Sequence, residues 1–63
     1  MTIGDKIRSI RGELSQREFA ERLAISIAAV SMYENNMRVP RDELKKKIAD
    51  YAGKTVQEIF FDE

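Results

Sequence analysis

The sequence predicts an all-α domain held together by helix packing, and three observations lead there. Apolar residues recur at spacings of three and four along most of the chain. Two Ser/Thr-x-x-Glu segments and several Gly or Asn residues punctuate it as helix starts and stops. No period-two strand pattern, internal repeat, low-complexity segment or linker interrupts the series. At 63 residues the chain makes a single domain, 1–63, because a protein this small buries only about 60% of the surface its unfolded chain exposes.

The elements follow in order. Ile3, Ile7, Ile10 and Leu14 lay one apolar stripe along a first helix that Gly12 ends. Ser15 and Glu18 form a capping box that starts a second helix burying Phe19, Ala20 and Leu23. Ser26 offers a fresh N-cap only three residues later, so the second helix is short and the third crosses it steeply. The third helix runs from Ser26 to about Asn35, with Ala29, Val30 and Tyr33 on its core side. Ile27, Ala28, Ser31, Met32 and Asn35 fall on the other side at about 100° per residue. Asn36 tolerates the left-handed conformation that ends a helix, and Pro40 opens a fourth at its first turn. That helix buries Leu44, Ile48, Tyr51 and Ala52 and stops at Gly53. Thr55 and Glu58 repeat the capping-box pattern and begin a last turn or two carrying Val56, Ile59, Phe60 and Phe61.

Composition excludes several function classes. Cys and His are absent, which removes disulfides, the usual zinc ligands and most nucleophile or base chemistry. Without a phosphate-binding glycine loop either, the expectation is no enzyme, no metal and no cofactor. No stretch approaches the roughly 20 apolar residues of a membrane span, and the N-terminus has no signal-peptide pattern, so a cytoplasmic protein with no membrane partner is expected. The formal net charge is zero, against the basic footprint usual for nucleic-acid binders. Its distribution is uneven, however. Asp50, Glu58, Asp62 and Glu63 face only Lys54 near the end, while Arg8, Arg11, Arg17, Arg22, Arg38, Arg41 and Lys45 to Lys47 lie earlier. A positive face and an acidic tail can coexist in a neutral chain.

The segment from Leu14 to Asn36, with Ser15-Gln16 and Tyr33-Glu34-Asn35-Asn36 in place, resembles the helix-turn-helix of Cro/cI-type (XRE-type) regulators of bacteria and phage. Ile3 to Arg11 looks like that family's first helix, Arg38-Val39-Pro40 like its loop before helix four, and Ile48-Ala49 with Val56 to Phe60 like its closing helices. The resemblance implies a compact four- to five-helix lambda-repressor-like DNA-binding domain, with the helix-turn-helix at about 16–35. It also implies a transcription regulator, a repressor by preference, acting at the nucleoid on a double-stranded operator through helix three. Three departures stand out. Ala24 replaces the Gly usual in the turn, at a cost of roughly 1–2 kcal/mol if that residue is left-handed. Asn36 stands where the family prefers Gly, and the connection from Arg11 to Leu14 is about two residues short, which leaves Arg8 and Arg11 as alternative alignments.

Carried over by position, Ile27, Ala28, Ser31 and Met32 face base edges. They include none of the Arg, Asn or Gln residues that pair bidentately with purines, so direct readout is weak or biased toward A·T steps. The other reading of this apolar surface is a contact with a second regulator protein, as in an antirepressor or co-regulator. Gln16, Arg17 and the amides that open helix two make one phosphate grip, with simple capping by Ser15 as the alternative. Ser26, the cap of helix three, is counted with the DNA-binding residues. Asn35, Asn36, Arg38 and Arg41 make the second grip, against plain solvated charge for the two arginines. Glu34 pairs with Arg11, by resemblance, in a structural ion pair. Phe60 and Phe61 end the chain with unusual hydrophobicity and are the candidate contact of a homodimer, the alternative being packing back on Tyr51.

Overall fold

The computed structural model describes residues 2–61, so the acidic end at Asp62 and Glu63 lies outside the described residues. Five helices follow one another: α1 (Ile3–Arg11), α2 (Gln16–Leu23), α3 (Ile27–Glu34), α4 (Asp42–Ala52) and α5 (Gln57–Phe61). Among the described residues there is no strand. The all-helical class expected from the sequence is therefore the observed one.

Local chemistry fixes most of the helix ends. Thr2 and Asp5, Ser15 and Glu18, and Thr55 and Glu58 each form a reciprocal capping box. In each, a hydroxyl accepts from one orphan amide while the carboxylate accepts from another. Ser26 caps α3 with its hydroxyl alone, accepting from the Ala29 amide at 3.1 Å. The C-termini of α2, α3 and α4 share a second device. Ala24, Asn36 and Gly53 are left-handed, and the next residue's amide turns back to a carbonyl five positions earlier: Ile25 to Ala20, Met37 to Met32, Lys54 to Ala49. This is the Schellman closure, which satisfies carbonyls the helix leaves without partners.

The core lies where these helices converge. Ile7 comes from α1, Phe19, Ala20 and Leu23 from α2, Val30 and Tyr33 from α3, Leu44, Ile48 and Ala49 from α4, and Ile59 and Phe60 from α5. Ile3, Ile10, Leu14, Ala29, Ala52 and Val56 pack around its edge, half-buried. α3 packs on both α1 and α2, and α4 packs on α2.

Two expectations about α4 need correction. Pro40 does not open the helix, because Arg41 is extended (φ −71°, ψ 163°) and holds the N-cap position, so α4 begins at Asp42. Pro40 is instead buried one residue ahead of the cap. Tyr51 is not a core residue either, being 39% exposed. Its ring meets Phe19 edge-on at 5.6 Å and lies under the Arg22 guanidinium, while Ala49, two residues earlier, fills the core. An amphipathic tyrosine at the rim keeps its polar tip in water at no loss of ring packing. The last segment is a single π-helical turn, the wide winding that brings both Ile59 and Phe60 inward.

Candidate nucleic-acid interface

The two faces of α3 have opposite tasks. Val30, Tyr33 and Glu34 are buried against α1 and α2. On the other face Ile27 is 47% exposed, Ala28 and Asn35 are exposed, and Ser31 and Met32 are half-buried. The ridge expected from helical periodicity thus points outward at Ile27, Ala28 and Asn35, with Ser31 and Met32 partly covered.

What locks the ridge in place is a buried carboxylate. Glu34 has no exposed side-chain surface, and Arg11 grips it with two hydrogen bonds, Nε to Oε2 at 2.6 Å and Nη2 to Oε1 at 3.1 Å. Gln16 donates its amide to Oε1 at 3.2 Å, and the Arg8 guanidinium stands 3.7 Å away. Burial pushes the Glu34 carboxyl up, but the hydrogen bonds from Arg11 and Gln16 and the charges of Arg11 and Arg8 outweigh it and hold the carboxyl below its ordinary value. Arg11 is raised in turn by its bond to Glu34. Its Nη1 also donates to the Leu14 carbonyl, tying down the short connection into α2. Arg11 and Arg8 both reach Glu34, with Arg11 as the hydrogen-bonded partner.

A second lock sits at the far end of α3. The Asn36 side chain accepts from the Gly4 amide at 3.0 Å and donates to the Thr2 hydroxyl at 3.1 Å, so it caps α1 across 32 residues of chain. Here α1 and α3 touch backbone to backbone. A β-carbon at Gly4 would run into the carbonyl groups of Tyr33 and Glu34, so only glycine fits.

The remaining sequence-selected residues fall on the flanks. Arg17 is exposed in the first turn of α2, beside Gln16, whose amide group is taken by Glu34. Arg38 and Arg41 are exposed between α3 and α4. Asn35 folds its amide back on its own helix, donating to the Ser31 carbonyl at 2.9 Å and lying 3.3 Å from the Ser31 hydroxyl. At the chain end the two phenylalanines part company. Phe60 is buried, which leaves Phe61, 60% exposed, as the surface ring, with the Lys45 ammonium 4.9 Å from its centre.

Four residues hold structural roles that the sequence alone did not assign. Thr2 and Asp5 form a capping pattern that could have been read directly. Gly4 carries no signal, since a glycine inside an amphipathic pattern does not reveal what approaches it. Lys47, which donates to the Leu23 carbonyl at 3.4 Å, lay hidden in a run of three lysines.

The family model described as Helix-turn-helix matches residues 7–59. The chain belongs to the Cro/cI-type (XRE) helix-turn-helix family. It is accordingly a DNA-binding helix-turn-helix regulator. No curated protein and no solved structure matches it. Among the described residues no cluster of acidic side chains could hold a metal ion, and no helix of this regulator is long and apolar enough to cross a membrane.

Proposed function

We propose that this regulator is a repressor that occupies a double-stranded operator by inserting α3 into the major groove. The observation that carries the reading is the outward face of α3, held from behind by the Glu34 network and flanked on both sides by exposed arginines. An α-helix fits the major groove, and this motif presents its second helix there. Arg17 at the start of α2 and Arg38 and Arg41 after α3 grip phosphates on either side of the groove, which fixes the docking angle. Gln16 and Asn36 act behind the interface rather than on it, because their side chains are bonded to Glu34, Gly4 and Thr2.

The repressor acts in the cytoplasm, at the nucleoid or on phage DNA, as a two-fold dimer joined through Phe61, whose exposed ring is the apolar surface nearest the chain end. Selection of bound DNA from random duplexes at two salt concentrations tests the reading. Enrichment of a palindrome, with affinity falling steeply as salt rises, supports it, and sequence-blind binding that ignores salt overturns it.

A second reading is favoured by one specific feature. Ile27 at the start of α3 and Met37 and Val39 in the loop after it, 73% and 64% exposed, are three large apolar groups left in solvent, chemistry suited to another regulator protein as in an antirepressor. If that reading holds, the random-duplex selection returns nothing and Ile27→Glu abolishes capture of the partner repressor.

A further inference from the structure

We infer that this regulator recognises its operator through the C5-methyl groups of thymines, by apolar contact with Ile27, Ala28 and Met32, and not through a hydrogen-bonding code. The inference rests on the groove-insertion reading above and deepens it.

The polar groups of this surface are largely used inside the protein. Helix α3 carries no Arg, Lys or Gln, and the neutral polar side chains around it have internal partners. The Gln16 amide donates to Glu34, and Ser26 accepts from the Ala29 amide. Asn35 directs its nitrogen at the Ser31 carbonyl; because a carbonyl can only accept, the orientation of that amide is fixed. Asn36 uses both of its polar atoms on α1. The helix itself thus carries none of the arginine or glutamine side chains that pair two-pronged with a purine, and Gln16, Asn35 and Asn36 each have part of their amide committed inside the protein.

What remains is single groups. A lone hydroxyl proton on Ser31 is accepted equally by N7 of either purine or by thymine O4, and a lone carbonyl on Asn35 accepts from adenine or cytosine amino groups alike. Neither separates one base pair from another. The thymine methyl is the only apolar group on the floor of the major groove, and it is unique to one base. Ile27 and Ala28 stand exposed in the first turn of α3, and Met32 lies one turn further on the same face. A flexible thioether at that place adapts to a methyl without needing fixed geometry.

The test uses the whole chain and the duplex enriched by random selection. Each thymine is replaced in turn by deoxyuridine, which deletes the methyl and keeps every hydrogen-bonding group. Loss of one buried methyl contact weakens binding by roughly three- to fivefold per site. A C·G pair placed at such a site regains part of its deficit when the cytosine is 5-methylated. Ile27→Ala and Met32→Ala, checked for folding by thermal melts, bring the thymine-to-uracil affinity ratio toward one. If wild-type protein binds the uracil and thymine duplexes equally, or the ratio survives truncation of both side chains, the methyl inference is wrong while the groove reading stands. If selection enriches no duplex at all, both fall.

Discussion

Glu34 concentrates the electrostatic argument in one side chain, because it is the one charged residue buried among the described residues and three elements meet on it. Replacing it with Ala leaves the Arg11 guanidinium without its bidentate partner and should cost about 3–5 kcal/mol of folding stability by denaturant titration. Arg8→Ala, at a side chain 55% exposed and 3.7 Å from the carboxylate, should cost under about 1 kcal/mol. The pH dependence follows from the same site. The folded Glu34 carboxyl titrates below its unfolded value, so its contribution is fully present above the ordinary glutamate range and is lost as pH falls through the lowered folded value. Glu18 and Glu58, lowered chiefly by hydrogen bonds from the Ser15 and Thr55 amides, act in the same direction. Acid should therefore unfold the wild type with a steeper loss below about pH 4 than Glu34→Gln shows. Ala24 makes the opposite kind of prediction. It is left-handed (φ 58°, ψ 44°) with a β-carbon, so Ala24→Gly should raise stability by about 0.5–1 kcal/mol, seen as a melting temperature roughly 4 °C higher.

At the scale of elements, most helix ends are built from residues that also announce themselves in sequence. The Ser15 and Thr55 capping boxes, the left-handed Asn36 and Gly53, and the Ser26 cap were legible because each is a local device whose chemistry does not depend on distant residues. Pro40 and Tyr51 were misread for the converse reason. A proline near a helix start fits several positions, and whether a tyrosine faces the core or the rim is decided by Phe19 and Arg22 on another helix. The start of α4 exposes a conflict between stability and binding. Arg41 occupies the N-cap position and makes no side-chain cap bond, although Ser, Asp or Asn there would. Arg41→Ser should stabilise the fold by about 0.5–1 kcal/mol and at the same time weaken DNA affinity. A variant stabilised with undiminished affinity would remove Arg41 from the phosphate grip.

On the scale of the whole molecule, a neutral chain binds a polyanion only if its cations gather on one side. Arg17, Arg38 and Arg41 are exposed, whereas Arg11 is committed to Glu34 and Lys45 sits between Asp42 and the two phenylalanine rings. Three phosphate contacts per protomer predict a slope of log affinity against log salt near roughly −3 for each protomer bound, and Arg38→Ala should reduce it by about 0.9 while weakening all sequences alike. Fold class, helix order and the outward face of α3 could be read from periodicity and capping. The division of the polar residues could not. Asn36 and Gln16 look in sequence like hands for DNA, and only the packed structure places their partners, Gly4, Thr2 and Glu34, beside them.

In the proposed mode of binding, the exposed face of α3 and the arginines beside it form the DNA-contacting surface. Mapping backbone amide shifts by NMR as a duplex carrying the selected operator is titrated into the labelled protein tests it most directly. The largest shifts are expected on residues 15–17, 26–32 and 35–41, with α1 and α5 little changed. Shifts concentrated on α1 and α5, with Ile27, Ala28 and Ser31 unmoved, would contradict it.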